Sequence, residues 1–255
     1  MFGICLLSHI AGRREGSDKS EMVTQLLFGD AYAVVEVQEK WVKIKTHFDD
    51  YDCWISKNQH FEITEKTYGE LLSAPLVLSD DLVQVVQEGS TYLPIVMGST
   101  LPLFKDGELK IENRTFLFDG KWIEPADINK GKILEYAFMY LNAPYLWGGK
   151  SPFGIDCSGF TQMVYKLCGY NLPRDAYQQF ELGTSHSFVE EAEAGDLAFF
   201  DNETGKIVHV GIVVEPGKII HASGKVRIDN LDHQGIFNKE LNQYTHRLRI
   251  IKNLL

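Results

Sequence analysis

The chain has no run approaching the roughly 20 apolar residues that a membrane-spanning helix needs, so membrane insertion is not expected. Its one candidate export signal, Phe2 to Ile10, has no basic residue ahead of it; Arg13 and Arg14 follow instead, and the run reads as a strand. Cysteine is sparse. Cys5, Cys53, Cys157 and Cys168 are too few and too scattered for a secreted disulfide framework, and no C-x-x-C pair suggests zinc or thioredoxin-like chemistry. This usage fits a reducing compartment, so a cytoplasmic location is expected, with export only if a leader precedes this chain. Basic charge is short as well. The 25 Lys and Arg residues against 35 Asp and Glu give a net charge of −10, which repels phosphate backbones and excludes a nucleic-acid partner. There is no H-E-x-x-H, and His9, His47, His60, His186, His233 and His246 share no ligand spacing, so no metal and no cofactor are expected. Gly148, Gly149 and Gly154 do not have the spacing of a phosphate-binding loop.

What remains is globular. With 255 residues, 44% hydrophobic and 24% charged, the chain has room for two or three compact units and is neither disordered, collagenous nor a coiled coil. To about Ile128 the signals are those of strands. In Trp41 to Lys45, Val42 and Ile44 fall on one face and Lys43 and Lys45 on the other. An aromatic-Asp opening that resolves into Trp-Ile occurs twice, at Tyr51 to Ile55 and at Phe118 to Ile123, a weak internal repeat of two small barrel-sized β units. Lys66 to Leu72 is a short helix or linker between them. After Pro125, Ile133, Leu134, Ala137, Phe138 and Leu141 recur at helical spacing, and a second helix is expected from Asp156 to Leu167 with Gly169 as its stop. Strands are expected again at Asp196 to Phe200, Ile207 to Val214 and Lys218 to His221, giving an α+β domain.

Cys157 stands where a loop rich in small residues (Gly148, Gly149, Pro152, Gly154) delivers the chain to a helix start. The positive end of the helix dipole and its unpaired amides favour a thiolate there, so a lowered pKa and a nucleophilic sulfur are expected. The other three cysteines read as small buried hydrophobes. A thiol nucleophile needs an imidazole partner, and that partner an orienting group. His209 and His221 flank one hairpin around Pro216 and Gly217. A two-residue turn there would put them on opposite faces, so a single site holding both requires an odd-length loop or a bulge.

These residues carry a resemblance. Pro144-Tyr145-Leu146-Trp147-Gly148-Gly149, Asp156-Cys157-Ser158-Gly159-Phe160, Pro173-Arg174-Asp175, Ala194-Gly195-Asp196-Leu197 and His209-Val210-Gly211-Ile212, in that order, resemble the NlpC/p60-type cysteine peptidases of bacteria. The Ser17 to Asp30 segment is similar to the bacterial SH3-like modules that precede such domains in γ-D-glutamyl-L-diamino-acid endopeptidases. The resemblance implies two small all-β SH3-like barrels, at 1–65 and 75–127, followed by an α+β papain-like peptidase domain at 128–255. It implies that Cys157 attacks the carbonyl, that His209 serves as base and then acid, that His221 orients His209, and that Tyr145 lies near the oxyanion. The implied substrate is a murein-derived peptide cut between γ-linked D-glutamate and a diamino acid. Asp175 and Ser158, with Glu21 and Tyr51 from the first module, would hold a free N-terminal L-alanine. Ala176 stands where relatives often carry serine, which removes one substrate hydrogen bond. Asp175 also reads as a helix N-cap. An amidase or acyltransferase on the same scaffold, or a noncatalytic wall-binding protein, are the alternative readings.

Overall fold

The computed structural model describes residues 1–126 and 129–255, so the expected boundary at 127/128 lies outside the described residues. The chain divides into two compact units, Met1–Pro125 with Gly148–Pro152, and Ala126–Trp147 with Phe153–Leu255. Among the described residues no helix is long and apolar enough to cross a membrane.

The first unit begins with a seven-stranded antiparallel sheet. The Trp41–Thr46 strand alternates as its sequence does, with Val42 and Ile44 in the core and Lys45 exposed. Cys5 and Cys53 are buried in the same core as Ile10, Leu26 and Ile55. The run from Phe2 to Ile10 is not one strand, which corrects the sequence reading. Phe2–Ile4 pairs with Ala31–Val37 and Phe61–Ile63, whereas His9–Arg13 pairs with Met22–Leu27 and Asp52–Ser56. Between them the chain turns away from the ladder, since the Cys5 N–H donates to the Asp30 carbonyl and the Cys5 carbonyl accepts from Gly29.

A helix, Glu65–Ser73, starts where the Thr64 hydroxyl accepts from the Thr67 N–H, a serviceable N-cap. Beyond it lie a four-stranded sheet, ordered Thr91–Val96, Val83–Glu88, Arg114–Leu117, Glu108–Ile111, and a short ladder of Leu78–Ser79 with Trp122–Ile123. Val86, Ile95, Leu109 and Phe116 from this region pack in one cluster with Ile4, Phe28 and Ile63. The two β regions therefore share apolar core.

In the second unit the Lys130–Met139 helix is capped by Asn129, whose side chain accepts from Lys132. The Cys157–Leu167 helix is buried along its whole length, and Gly169, at φ 84°, takes the left-handed position that ends it. A short third helix, Ala176–Gln179, follows. The helices pack against an antiparallel sheet in which Leu197–Asp201, Ile207–Glu215, Lys218–Ser223, Lys225–Leu231 and Gly235–Asn238 are successive neighbours. The last strand, Gln243–Asn253, pairs with Gly235–Asn238 along one half and Leu197–Asp201 along the other, which closes the sheet on itself. Closure removes the free edges and brings the two ends of the strand order together.

Candidate active site

Asp156 has the extended backbone of an N-cap, and its carboxylate accepts from the Gly159 N–H at 2.7 Å, which fixes Cys157 as the first helical residue. The same carboxylate takes a two-pronged grip from Arg174, Nη1 to Oδ1 at 3.0 Å and Nη2 to Oδ2 at 2.6 Å. Arg174 is 1% exposed and also donates to the Ser158 hydroxyl at 2.9 Å. The Gln179 amide donates to the carbonyls of Ser158 and Pro173, tying the 173–175 segment to the helix start. The nucleophile's position is thus held by a paired charge and a satisfied polar network, which low-dielectric surroundings make rigid.

Cys157 is 8% exposed, and its sulfur lies against the Val210 peptide N–H, in the strand that carries His209. Burial, and then the Asp156 carboxylate, push the thiol up to about 12, while the amides of Val210 and Ser158 and the Arg174 guanidinium pull it down by less. This reverses the expected lowered pKa. The helix terminus does supply amides, but a sequence cannot report how completely the site excludes water, and desolvation wins. His209, 5% exposed, is driven well below its ordinary value by burial and by His246 and His221. Both groups therefore rest neutral, the Cys157 thiol against the peptide that follows His209 and the imidazole on that same strand.

The expected irregularity in the hairpin is present. Glu215 pairs with Lys218 across the turn, but Val213 pairs with Ile219 and Ile212 with Ile220, so one extra residue is taken up between 213 and 215. That register sets His221 opposite Gly211 and on the same face as His209. A Cβ at Gly211 would stand 2.8 Å from the His221 Cβ and the Ile219 Cδ1, so only glycine leaves room for the ring. His209 Nε2 and His221 Nδ1 are 2.8 Å apart, and His221 Nε2 lies 3.0 Å from Asp229 Oδ2. Asp229 is gripped in turn by Arg227, Nε to Oδ2 at 2.7 Å and Nη2 to Oδ1 at 3.1 Å. These contacts, above all the bonds from His221 and Arg227, outweigh burial and keep the Asp229 carboxyl below its usual range.

The protons follow from these partners. A carboxylate only accepts, so the His221 nitrogen facing Asp229, Nε2, carries a proton, and in the tautomer with its single proton there Nδ1 accepts. His209 must then donate from Nε2, which leaves the lone pair of Nδ1 as its one basic position. An imidazole held in this tautomer can take a proton from a thiol and return it to a leaving amine.

Of the other expected residues, Tyr145 is half-buried and close enough to Cys157 and Asp156 that they, after burial, raise its phenol, which stays a protonated donor. Ser158 is engaged by Arg174 within the Asp156 cluster. Asp175 is the N-cap residue of the Ala176–Gln179 helix, and its N–H donates to the Gln178 side chain. In the first unit, Glu21 forms an exposed ion pair with Arg14, and Tyr51 packs partly against the core while its backbone bonds Thr46. Sequence reasoning passed over Asp229, Arg227 and His246. Pairing around Gly224 sets Arg227 opposite His221 and Asp229 two residues further on the same face, a signal that strand alternation carries. His246 has no such local signal. It comes from the closing strand and stacks on His209 at 4.1 Å between ring centroids.

A thiol at a helix start, set against the strand that carries a carboxylate-anchored imidazole pair, is the chemistry of a thiol hydrolase. Residues 142–245 match the NlpC/P60 family, and residues 12–59 match the bacterial dipeptidyl-peptidase Sh3 domain. A gamma-D-glutamyl-L-lysine dipeptidyl-peptidase of Bacillus subtilis is 32% identical over 241 residues, covering 86% of this chain and 78% of that protein. Dipeptidyl-peptidase 6 of Lysinibacillus sphaericus is 25% identical, covering 84% of this chain and 86% of its own. The crystal structure of an NlpC/P60 family protein from Bacillus cereus superposes with a TM-score of 0.85 over 100% of both chains at 21% identity, a likeness of fold. The chain belongs to the NlpC/P60 family, with an SH3 domain ahead of the NlpC/P60 domain.

Proposed function

We propose that this protein is a cysteine endopeptidase that hydrolyses the bond between γ-linked D-glutamate and a diamino acid in murein stem peptides. The observation that carries the reading is the relay from His209 through His221 to Asp229, on a strand whose next peptide, Val210, meets the helix-start thiol of Cys157. Relatives named for γ-D-glutamyl-L-lysine cleavage, matched over most of their length, support the choice of bond.

In this reading His209 Nδ1 takes the Cys157 proton as the sulfur attacks the substrate carbonyl, and the imidazolium is stabilised through His221 by the Asp229 charge. The tetrahedral oxyanion is met by the Cys157 amide and the Tyr145 hydroxyl. His209 then protonates the departing amine of the diamino acid, leaving a thioester. Water, deprotonated by the same nitrogen, releases the acyl fragment and returns the thiol. An intact relay argues against a purely wall-binding role.

Asp175, with Glu21 and Tyr51 carried over from the resemblance, are our candidates for recognition of a free N-terminal amine. Ser158 is the candidate neighbouring contact, although the Asp156 cluster already occupies its hydroxyl. Selectivity for free amines would suit recycling of released peptides in the cytoplasm. The papain-like layout, a second SH3-like barrel at 75–127 and the limits 1–65 and 128–255 belong to the same proposal. Product analysis by mass spectrometry on L-Ala-γ-D-Glu-diaminopimelate and its N-acetylated form tests it. Cleavage after D-glutamate in the free peptide alone is expected; cleavage elsewhere removes the assigned bond, and equal rates on both peptides remove the amine recognition.

A further inference from the structure

We propose that His209, His221 and His246 form a binding site for one divalent transition-metal ion of zinc type, and that its occupation shuts the peptidase off. The inhibitory half rests on the role given to His209 above; the binding half does not.

One ring nitrogen from each of the three residues lies within 4.8 Å of the other two, and among the described residues this is the one such group of histidine, cysteine or acidic side chains. His221 is disposed as a co-ligand toward either neighbour, whereas the His246 ring must tilt off its stack on His209 for both to reach one ion. His246 stacks on His209 with 25° between planes, and His221 stands edge-on to both, at 5.0 and 5.5 Å. Two of the rings are held by other partners, His221 Nε2 by Asp229 and His246 Nδ1 by the Thr245 hydroxyl at 2.9 Å. A metal-ligating histidine is usually oriented by such an outer partner, and a carboxylate partner also raises the ring's basicity. Neutral imidazoles are good ligands for zinc, copper and nickel.

Side-chain adjustment brings the three nitrogens, now within 4.8 Å of one another, to ligand spacing. Ligands about 2.1 Å from a tetrahedral ion are about 3.4 Å apart. His209 Nε2 and His221 Nδ1 are 2.8 Å apart and now share a proton, so an ion held between them at the tetrahedral angle replaces that proton, parts them by roughly half an ångström and turns both rings off the N–N line. Three histidines with a fourth position left to water is a familiar open zinc set.

Coordination has a definite chemical consequence. When the ion takes the lone pair at His209 Nε2, the ring's single proton must sit on Nδ1. That nitrogen is then a donor and no longer accepts the Cys157 proton. No bond to sulfur forms and no electron is transferred. Inhibition should be reversed by removing the ion.

Cobalt(II) titration of the full chain reads the site without reference to peptide cleavage. One equivalent giving the visible absorption of a four-coordinate, nitrogen-rich site is expected. Cys157→Ser should leave that spectrum unchanged, whereas His246→Ala and the bulkier His246→Gln should each weaken binding at least tenfold. Zinc should displace cobalt and abolish cleavage at the same stoichiometry, with recovery on adding a chelator. A cobalt spectrum indifferent to both His246 variants, or a thiolate band that disappears in Cys157→Ser, would overturn the site. Zinc that displaces cobalt yet leaves turnover intact would overturn the inhibition. A chain that bound cobalt as described but cut no murein peptide would refute the proposed function and leave the metal site standing.

Discussion

The protonation state of the resting site can be put to a direct test through the alkylation of Cys157. With its thiol pushed up to about 12, the ionised fraction at pH 7.5 is about 3 × 10⁻⁵, against about one-tenth for a free thiol of pKa about 8.5. The deficit in thiolate is roughly 3,000-fold. A more basic thiolate is a better nucleophile, and a Brønsted coefficient of about 0.45 over about 3.5 pKa units restores roughly 40-fold. Cys157 should therefore react with iodoacetamide on the order of 100-fold more slowly than a small free thiol. Its rate should climb about tenfold per pH unit to beyond pH 9, where the free thiol has levelled off. Peptide mapping separates Cys157 from Cys5, Cys53 and Cys168, which are also free and buried. A rate at pH 6 equal to or above that of the free thiol, on a plateau extending to lower pH, would mean a standing thiolate–imidazolium pair and refute the reasoning. The same electrostatics predict cleavage that persists as pH falls below 6.5, because His209 gains its proton only well below that value.

Three substitutions test the scaffold around the thiol. Arg174→Met leaves the buried Asp156 carboxylate without its guanidinium and should cost about 3–5 kcal/mol in urea unfolding; a loss under about 1 kcal/mol would show that the pair does not hold the helix start. Gly211→Ala should destabilise by about 1–3 kcal/mol through contact with His221 and Ile219, and should lower kcat more than it raises KM; unchanged kcat would mean His221 can move without consequence. Asp229→Asn should keep the fold but lower kcat on the order of 100-fold, because the charge that stabilises the imidazolium is gone and an NH2 donor replaces one oxygen facing the Arg227 and His221 donors, which loosens the His221 tautomer; wild-type turnover would remove Asp229 from the relay.

The parts of the site legible in the sequence were those governed by local rules. A small-residue loop opening onto an amphipathic helix located Cys157, and period-two alternation required a bulge if His209 and His221 were to meet. Asp229 obeyed the same alternation one strand further on and could have been found. His246 could not, because it reaches His209 only through closure of the sheet, a pairing between distant strands that no spacing records. The Phe2 to Ile10 run is mostly apolar, Ser8 and His9 aside, yet it splits where Cys5 bonds to the Gly29–Asp30 turn, a partner remote in sequence. The ionisation of Cys157 was misjudged for a related reason. Helix position is local, but the depth of burial is a property of the assembled unit.

The extra residue between Val213 and Glu215 gives the hairpin an unusual evolutionary constraint. Losing one amino acid there would invert the parity of everything downstream and turn the imidazole at 221 away from its companion. Losing two would conserve that parity. Length variation in this connection should thus be tolerated in even steps and purged in odd ones, irrespective of which side chains are gained or lost.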